Sequence, residues 1–360
     1  MKLYIDGLFY KGSGIGRYYE SLMKEFSKRG IEIFTCVPKR LQKDFERDFN
    51  DYSNNITPIF VDYERFSFKG MFLQSKILKD MGKRVDIFLF PHVNLPLYIP
   101  KNTITTIHDL RPFTKFWDRS NLKRELFKLL LKRALKYSKT IITISKTVEI
   151  ELKSMFNIED KKIKVIYRFI DDKFINVNLK QKPILNKPYI LFVGNRKKHK
   201  NLSGLIKAFS LVKDKLDHML VIAGSKDKQY DEVDELKKDL NIEDRVVEFI
   251  SPDDDVIINL YQNADLFVFP SFFEGFGLPP LEALACNCPV ISSNIPVLKE
   301  ILGDEIACFN PYDIKDISDK MIYGISNKDK LLRIGKEKLK FFDKNKIINE
   351  YIELLLNNNI

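Results

Sequence analysis

Short apolar runs alternate with helical patterns twice along this chain, and that repetition limits its fold more than any other feature. Lys2–Ile5, Ile31–Val37, Val85–Phe90, Thr103–Ile107, Thr140–Ile144 and Ile163–Ile166 form a first series. Tyr189–Val193, Met219–Ala223, Arg245–Phe249, Asp265–Phe269 and Pro289–Ser292 form a second. Runs this short, apolar on both faces, suit strands of a parallel sheet covered by helices on either side. The repetition therefore predicts an α/β chain of two Rossmann-like, doubly wound domains. The 360-residue length agrees, because single cores stop growing near about 250–300 residues. The expected division is a first domain over 1–170, a linker over 171–188, a second domain over 189–342, and a C-terminal helix over 343–360. The linker stretch carries two prolines and no clear period, and the last helix could pack on either domain, including back on the first.

With 44% hydrophobic and 30% charged residues, the chain reads as an ordinary globular protein rather than a disordered one. A net charge of +11 favours anionic partners: phosphorylated substrates, an anionic membrane face or nucleic acid. Nucleic acid would call for exposed aromatics interleaved with the basic runs, and no such module is visible, so it is not expected as a partner. Cys36, Cys286, Cys288 and Cys308 show no metal-knuckle spacing and read as reduced thiols. No apolar leader opens the sequence, and no run approaches about 18 apolar residues. The expected location is cytoplasmic, at most peripheral at the inner face of the plasma membrane.

Three stretches carry candidate chemistry. Gly12, Gly14 and Gly16 are expected to precede an amphipathic helix ending near Gly30. Such a loop either cradles a phosphate at the helix N-terminus or is merely flexible. The strand Tyr189–Val193 runs into Gly194, Asn195, Arg196, Lys197, Lys198, His199 and Lys200. Cations at that carboxyl end suit a diphosphate clamp, Arg196 and Lys200 above all, or form a solvated charge run. The third stretch, Phe269–Cys286, places Glu274 in a glycine-bearing loop and Glu282 in the first turns of a helix expected to start near Pro279. Two carboxylates and open helix amides at one entrance suit a ligand rich in hydroxyls and phosphate.

The sequence Pro-Ser-Phe-Phe-Glu-Gly-Phe-Gly-Leu-Pro-Pro-Leu-Glu-Ala-Leu-Ala over 270–285 resembles the Glu-x7-Glu signature of retaining glycosyltransferases of the GT-B fold, especially family 4. Gly14-Ile15-Gly16-Arg17-Tyr18, Ile107-His108-Asp109-Leu110, His199-Lys200-Asn201 and Leu298-Lys299-Glu300-Ile301 extend the resemblance over nearly the whole chain. It implies two Rossmann-like domains facing each other across a cleft. It also implies that Glu282 bonds a nucleotide ribose, and that Glu274 contacts a hydroxyl of the donor sugar. Backbone amides of Phe276, Gly277 and Leu278 would line sugar and diphosphate. Lys200 would stabilise the leaving diphosphate, and His108 would face the donor sugar. His108 alone would read as a structural histidine, and Asp109 as a cap. The family's Gly-Arg pair is Gly194-Asn195 here, which displaces Arg196 by one residue.

What the resemblance implies is retaining transfer from a nucleoside-diphosphate sugar, GDP-mannose favoured, to a glycan or lipid-linked saccharide of a bacterial surface polysaccharide. Rival readings on the same fold are a sugar-nucleotide epimerase, a phosphorylase, or a glycan- or nucleotide-binding protein without activity. No cofactor and no metal are expected. Asp253-Asp254-Asp255 precedes a helical pattern and reads as an N-cap rather than a metal ligand. Arg119–Tyr137 puts Leu122, Leu126, Leu129, Leu130 and Ala134 on one side and six cations over the rest. That helix either packs with a solvated basic rim or rests against anionic lipid.

Overall fold

The computed structural model describes residues 1–175, 181–227 and 230–358; residues 176–180 of the expected linker lie outside the described residues. Two compact units emerge, one built from 1–113, 119–168 and the chain from 345, the other from 114–118 and 169–344.

In the first unit a parallel sheet contains β1 (Lys2–Ile5), β2 (Glu32–Pro38), β3 (Ile56–Val61), β4 (Ile87–Phe90), β5 (Thr103–Ile107), β6 (Thr140–Thr143) and β7 (Ile163–Val165). Their order is β3-β2-β1-β4-β5-β6-β7. Tyr4 lies opposite Phe34 on one side and Phe88 on the other, so β1 is the strand from which the winding reverses. Every residue of β4, β5 and β6 is buried, which is why these strands read as unbroken apolar or threonine-rich runs. Fully burying an aliphatic side chain there contributes about 1.5–3 kcal/mol. β3 falls outside the expected strands because Pro58 and its half-exposed neighbours break the pattern. As an edge strand it tolerates a proline that a central strand would not.

The second unit repeats the plan with β8 (Tyr189–Val193), β9 (Met219–Gly224), β10 (Val246–Ile250), β11 (Leu266–Phe269), β12 (Val290–Ser293) and β13 (Cys308–Phe309). The order β10-β9-β8-β11-β12-β13, all parallel, places the reversal between β8 and β11. The carboxyl ends of two such strands frame the crevice where open α/β sheets bind ligands. Gly224 makes that edge possible: at φ +147° a Cβ would stand 2.0 Å from the Gly194 carbonyl oxygen.

The helix Lys344–Asn358 belongs to the first unit, where Ile347, Ile348 and Leu355 are buried and the Tyr351 hydroxyl meets that of Tyr18 at 2.6 Å. On the helix Asn121–Tyr137 the sequence grouping needs correction. Leu130, Leu131, Ala134 and Leu135 make the buried face, while Leu122, Leu126 and Leu129 stand outward. Packing is thus displaced around the helix from the side the leucine count suggested.

Candidate functional site

At the carboxyl edge of the second sheet, the loop after β8 and the loop after β11 are tied together. The Phe272 N–H donates to the His199 carbonyl oxygen at 2.8 Å, and Asn201 enters the next helix with left-handed backbone. This juxtaposition brings Lys200 Nζ to 2.6 Å from Glu274 Oε1, with each side chain only 12% exposed. The ammonium also lies 5.1 Å from the centre of the Phe269 ring. A pair so withdrawn from water interacts far more strongly than one on the surface.

The helix that follows runs Leu278–Ala285, one residue earlier than expected, with Gly277 as its left-handed N-cap at φ +97°. A Cβ on Gly277 would meet Leu298 Cδ2 at 2.5 Å, so both backbone and space call for glycine. No side chain caps this end. Of its first three helical positions, Pro279 and Pro280 lack an N–H, leaving the Leu278 amide as a donor. Glu282 lies one turn in and is buried. Phe276 packs its ring against Phe342, which takes its side chain out of the loop's open face.

Arg196 is placed differently from Lys200. Its guanidinium is fully buried and donates to Asp231 at 2.8 Å and Glu248 at 2.7 Å, and Lys237 also bonds Glu248. The Arg196 charge is thereby matched within the domain, not presented at the Glu274 loop. Gly194 is consumed in the strand extension, its N–H donating to the Ala223 oxygen at 2.9 Å. Sequence reasoning missed an aromatic stack beside Glu274. Phe272 lies between Phe116, at 5.3 Å and nearly parallel, and Tyr312, at 4.7 Å. The run Phe272-Phe273 hinted at it, but partners so distant in sequence gave no signal.

In the first domain, Gly14 and Gly16 lie inside the first turn of the helix Ser13–Lys28, not ahead of it. Gly12 is the N-cap, and the Gly16 N–H already bonds the Gly12 oxygen at 3.0 Å. A Cβ on Gly16 would meet the Phe9 oxygen at 2.6 Å, which explains the glycine by close approach. Gly14 lies beside Arg168, whose Nη1 is 3.8 Å from where its Cβ would be.

His108 directly follows β5, its Nε2 at 2.9 Å from the Pro91 carbonyl oxygen. Since a carbonyl only accepts, Nε2 carries the proton and Nδ1 keeps its lone pair. Burial of the ring, and then the charge of Arg168, push its pKa down to about 3. The imidazole is therefore a neutral acceptor. Asp109 accepts from the Arg111 N–H at 3.0 Å and caps the turn that follows.

A second histidine went unnoticed in the sequence. His92 Nε2 is 2.9 Å from Asp6 Oδ1, while the Asn94 N–H donates to His92 Nδ1 at 3.2 Å. Asp6 also accepts from the Leu8 N–H and Gln74. With both ring nitrogens committed, this dyad holds the loops after β1 and β4 in place. Its signal was present in Asp6 and His92, each just beyond the end of a strand, but their pairing requires knowing that β1 and β4 are neighbours.

Asp253 caps the helix Asp254–Asn263, accepting from the Val256 N–H at 2.9 Å. Among the described residues no group of three or more His, Cys, Asp or Glu could hold a metal ion. No described helix is long and apolar enough to cross a membrane.

With this geometry, comparison with known proteins becomes decisive. Residues 12–174 match the Glycosyltransferase Family 4 model and residues 175–341 the Glycosyl transferases group 1 model. The chain belongs to the group 1 glycosyl transferases. The O-antigen chain mannosyltransferase RfbU of Salmonella typhimurium is 33% identical over 62% of this chain, and the match spans only 60% of that protein's length. A second relative is the N-acetylgalactosamine-N,N'-diacetylbacillosaminyl-diphospho-undecaprenol 4-alpha-N-acetylgalactosaminyltransferase of Campylobacter jejuni. It is 29% identical over 78% of either chain. Sucrose-phosphate synthase from Thermosynechococcus elongatus superposes with a TM-score of 0.81 at 17% identity, covering 99% of this chain and 98% of that one. The GT-B fold of this group 1 glycosyl transferase follows from that likeness.

Proposed function

We propose that this group 1 glycosyl transferase is a retaining, metal-independent hexosyltransferase. It moves a sugar from a nucleoside-diphosphate donor to a hydroxyl of a glycan or lipid-linked saccharide in surface polysaccharide synthesis. Mannose, carried by GDP, is the favoured donor sugar because the Salmonella relative is named as a mannosyltransferase. The lipid-linked acceptor rests on the diphospho-undecaprenol in the Campylobacter relative's name.

The observation that carries the reading is the Lys200–Glu274 pair at the uncapped entrance of the helix Leu278–Ala285. A diphosphate entering there competes for the Lys200 ammonium, and Glu274, released, accepts from a sugar hydroxyl. The Leu278 amide and the helix dipole favour the anion at the same entrance. As the glycosidic bond to the diphosphate lengthens, negative charge grows on the leaving oxygen. Lys200 stabilises that charge more in the transition state than in the ground state. Glu282 accepts from a ribose hydroxyl. Gly14 and Gly16 open a helix without an acidic residue in its first turn, a setting that tolerates phosphate. In the first domain His108 offers Nδ1 to a sugar hydroxyl. Arg196 is assigned to holding the loop, through Asp231 and Glu248, rather than to the phosphate. No cofactor is required.

A thermal-shift panel of nucleotide sugars tests the reading. The cognate donor at a hundred times its dissociation constant stabilises by about 2.7 kcal/mol. Product analysis with that donor should then show a new glycoside of the donor's anomeric configuration, formed in excess EDTA. Activity lost on chelation and restored by Mg²⁺ would remove metal independence, an inverted product would remove retention, and a freed epimer would make the chain an epimerase.

A further inference from the structure

Tyr18 lies in the second turn of the helix Ser13–Lys28 and is buried. Its ring meets that of His108 nearly at right angles, with the ring centres 4.8 Å apart. An imidazole just beyond a strand turns about its side-chain torsions unless its surroundings hold it. Here the Pro91 carbonyl oxygen fixes Nε2, and the Tyr18 ring restricts how the imidazole plane turns about that bond.

The Tyr18 ring is itself pinned. Its hydroxyl lies 3.0 Å from Thr106 Oγ1 and 2.6 Å from the Tyr351 hydroxyl. Side chains two apart along a strand share a face, so Thr106 and His108 meet the same tyrosine. Tyr351 reaches in from the helix Lys344–Asn358, which is fastened at both ends. Arg29 Nη2 donates to Asn345 Oδ1 at 3.0 Å, and the Thr140 hydroxyl donates to Asn358 Oδ1 at 2.8 Å. Lys139 Nζ adds a bond to the Asn358 carbonyl oxygen at 2.9 Å.

Packing alone does not call for these hydroxyls. A buried phenol needs partners that a phenylalanine does not, and a bond left unmade costs more than a made one returns. What hydrogen bonds add to apolar contact is direction. Burial pushes both phenols above their ordinary range, so each keeps its proton. With one proton to give, the Tyr18 hydroxyl donates to one neighbour and accepts from the other. Thr106, Tyr18 and Tyr351 thus form a bonded chain that ends against the His108 ring.

We propose that Tyr18 and Tyr351 are positioning residues for His108, the hydroxyl chain from the helix Lys344–Asn358 setting the angle at which Nδ1 is offered to a substrate hydroxyl. The proposal rests on the sugar contact assigned to His108 above and extends it to a helix remote from that histidine in sequence. Neither tyrosine touches the sugar; each acts through the imidazole.

A double-mutant cycle on the full chain tests this. Tyr351→Phe and Tyr18→Phe keep both rings and remove one hydroxyl each. Each should lower kcat by about 2- to 10-fold, the range of one hydrogen bond, with affinity for the free nucleoside diphosphate unchanged. In a His108→Phe background, where no ring nitrogen is left to aim, neither should lower kcat further. The His108 ring resonances should also move in Tyr351→Phe, because they report the angle of the neighbouring aromatic ring. Wild-type turnover in both tyrosine variants overturns the proposal. So do losses that multiply in the His108→Phe background, or His108 resonances that stay in place, since the tyrosines would then serve the fold alone. Those three results leave the glycosyl transfer reading standing. His108→Phe with wild-type turnover would remove the sugar contact and the proposal with it, and a wild type that transfers no sugar would remove the glycosyl transfer reading and the proposal together.

Discussion

The carboxyl edges of the two sheets share a topology and differ in their electrostatics. At the first, His108 is neutral with one nitrogen fixed as donor, and Asp6 and His92 satisfy each other in the interior. At the second, full charges meet: Lys200 with Glu274, and Arg196 with Asp231 and Glu248. A neutral acceptor discriminates hydroxyl geometry without attracting phosphate, whereas an ion pair can be exchanged for a ligand's charge. The difference teaches that one scaffold, repeated, can carry a neutral acceptor at one edge and exchangeable charge at the other, which under the proposed function would divide sugar recognition from charge stabilisation.

The largest expected effect separates the two cations of the second edge. Arg196→Ala leaves Asp231 and Glu248 facing each other without their shared partner, and removing one member of a buried pair costs about 3–5 kcal/mol. Chemical denaturation should show that loss, while the folded fraction still binds nucleotide. A stable variant with defective donor binding would return Arg196 to the phosphate. Lys200→Ala should lower turnover by about 10²- to 10³-fold, the range found when one preorganised electrostatic contact is removed, with a smaller change in KM. Near-wild-type turnover would dissolve the contrast between the edges.

Glu282→Ala sharpens the assignment within the second edge. Loss of a hydrogen bond to a charged group costs about 1.5–3 kcal/mol, so calorimetry should show affinity for the free nucleoside diphosphate falling at least about tenfold. Unchanged affinity there, with a loss in Glu274→Ala, would exchange the two carboxylates' roles.

The smallest effect concerns the neutral edge. The His108 pKa lies below its ordinary value, near 3 against about 6.5 in the unfolded chain. Between those values the unfolded chain binds the proton that the folded one refuses. Stability is therefore complete above about pH 6.5 and declines as pH falls towards 3. Denaturation at pH 7 and pH 5 should show a smaller decline in His108→Phe than in the wild type. An NMR titration in which His108 protonates near pH 6.5 would overturn its neutrality.

Much of this was legible in the chain. Strands such as β1, β5 and β8 stand where their apolar runs are, because a strand buried on both faces leaves an unbroken signature. The stretch 270–285 announced the family through residue types whose reasons are physical: Gly277 for its positive φ and Pro279 for a helix entrance. What stayed hidden depended on neighbours distant in sequence. The partners of Arg196 lie 35 and 52 residues away, and the pairing of Asp6 with His92 spans 86. The edge strands β3 and β13 escaped because half-exposed or two-residue strands carry too little pattern.

The helix Lys344–Asn358 has a consequence for synthesis. It follows the second domain in sequence, yet Tyr351 closes over Tyr18 in the core of the first. On a ribosome adding about 5–20 residues per second, the chain from 169 to 344 takes about 10–35 s to appear. Throughout that interval the first domain lacks one of its walls, while the second, contiguous but for 114–118, can fold as it emerges. The part of the protein made first is thus finished last.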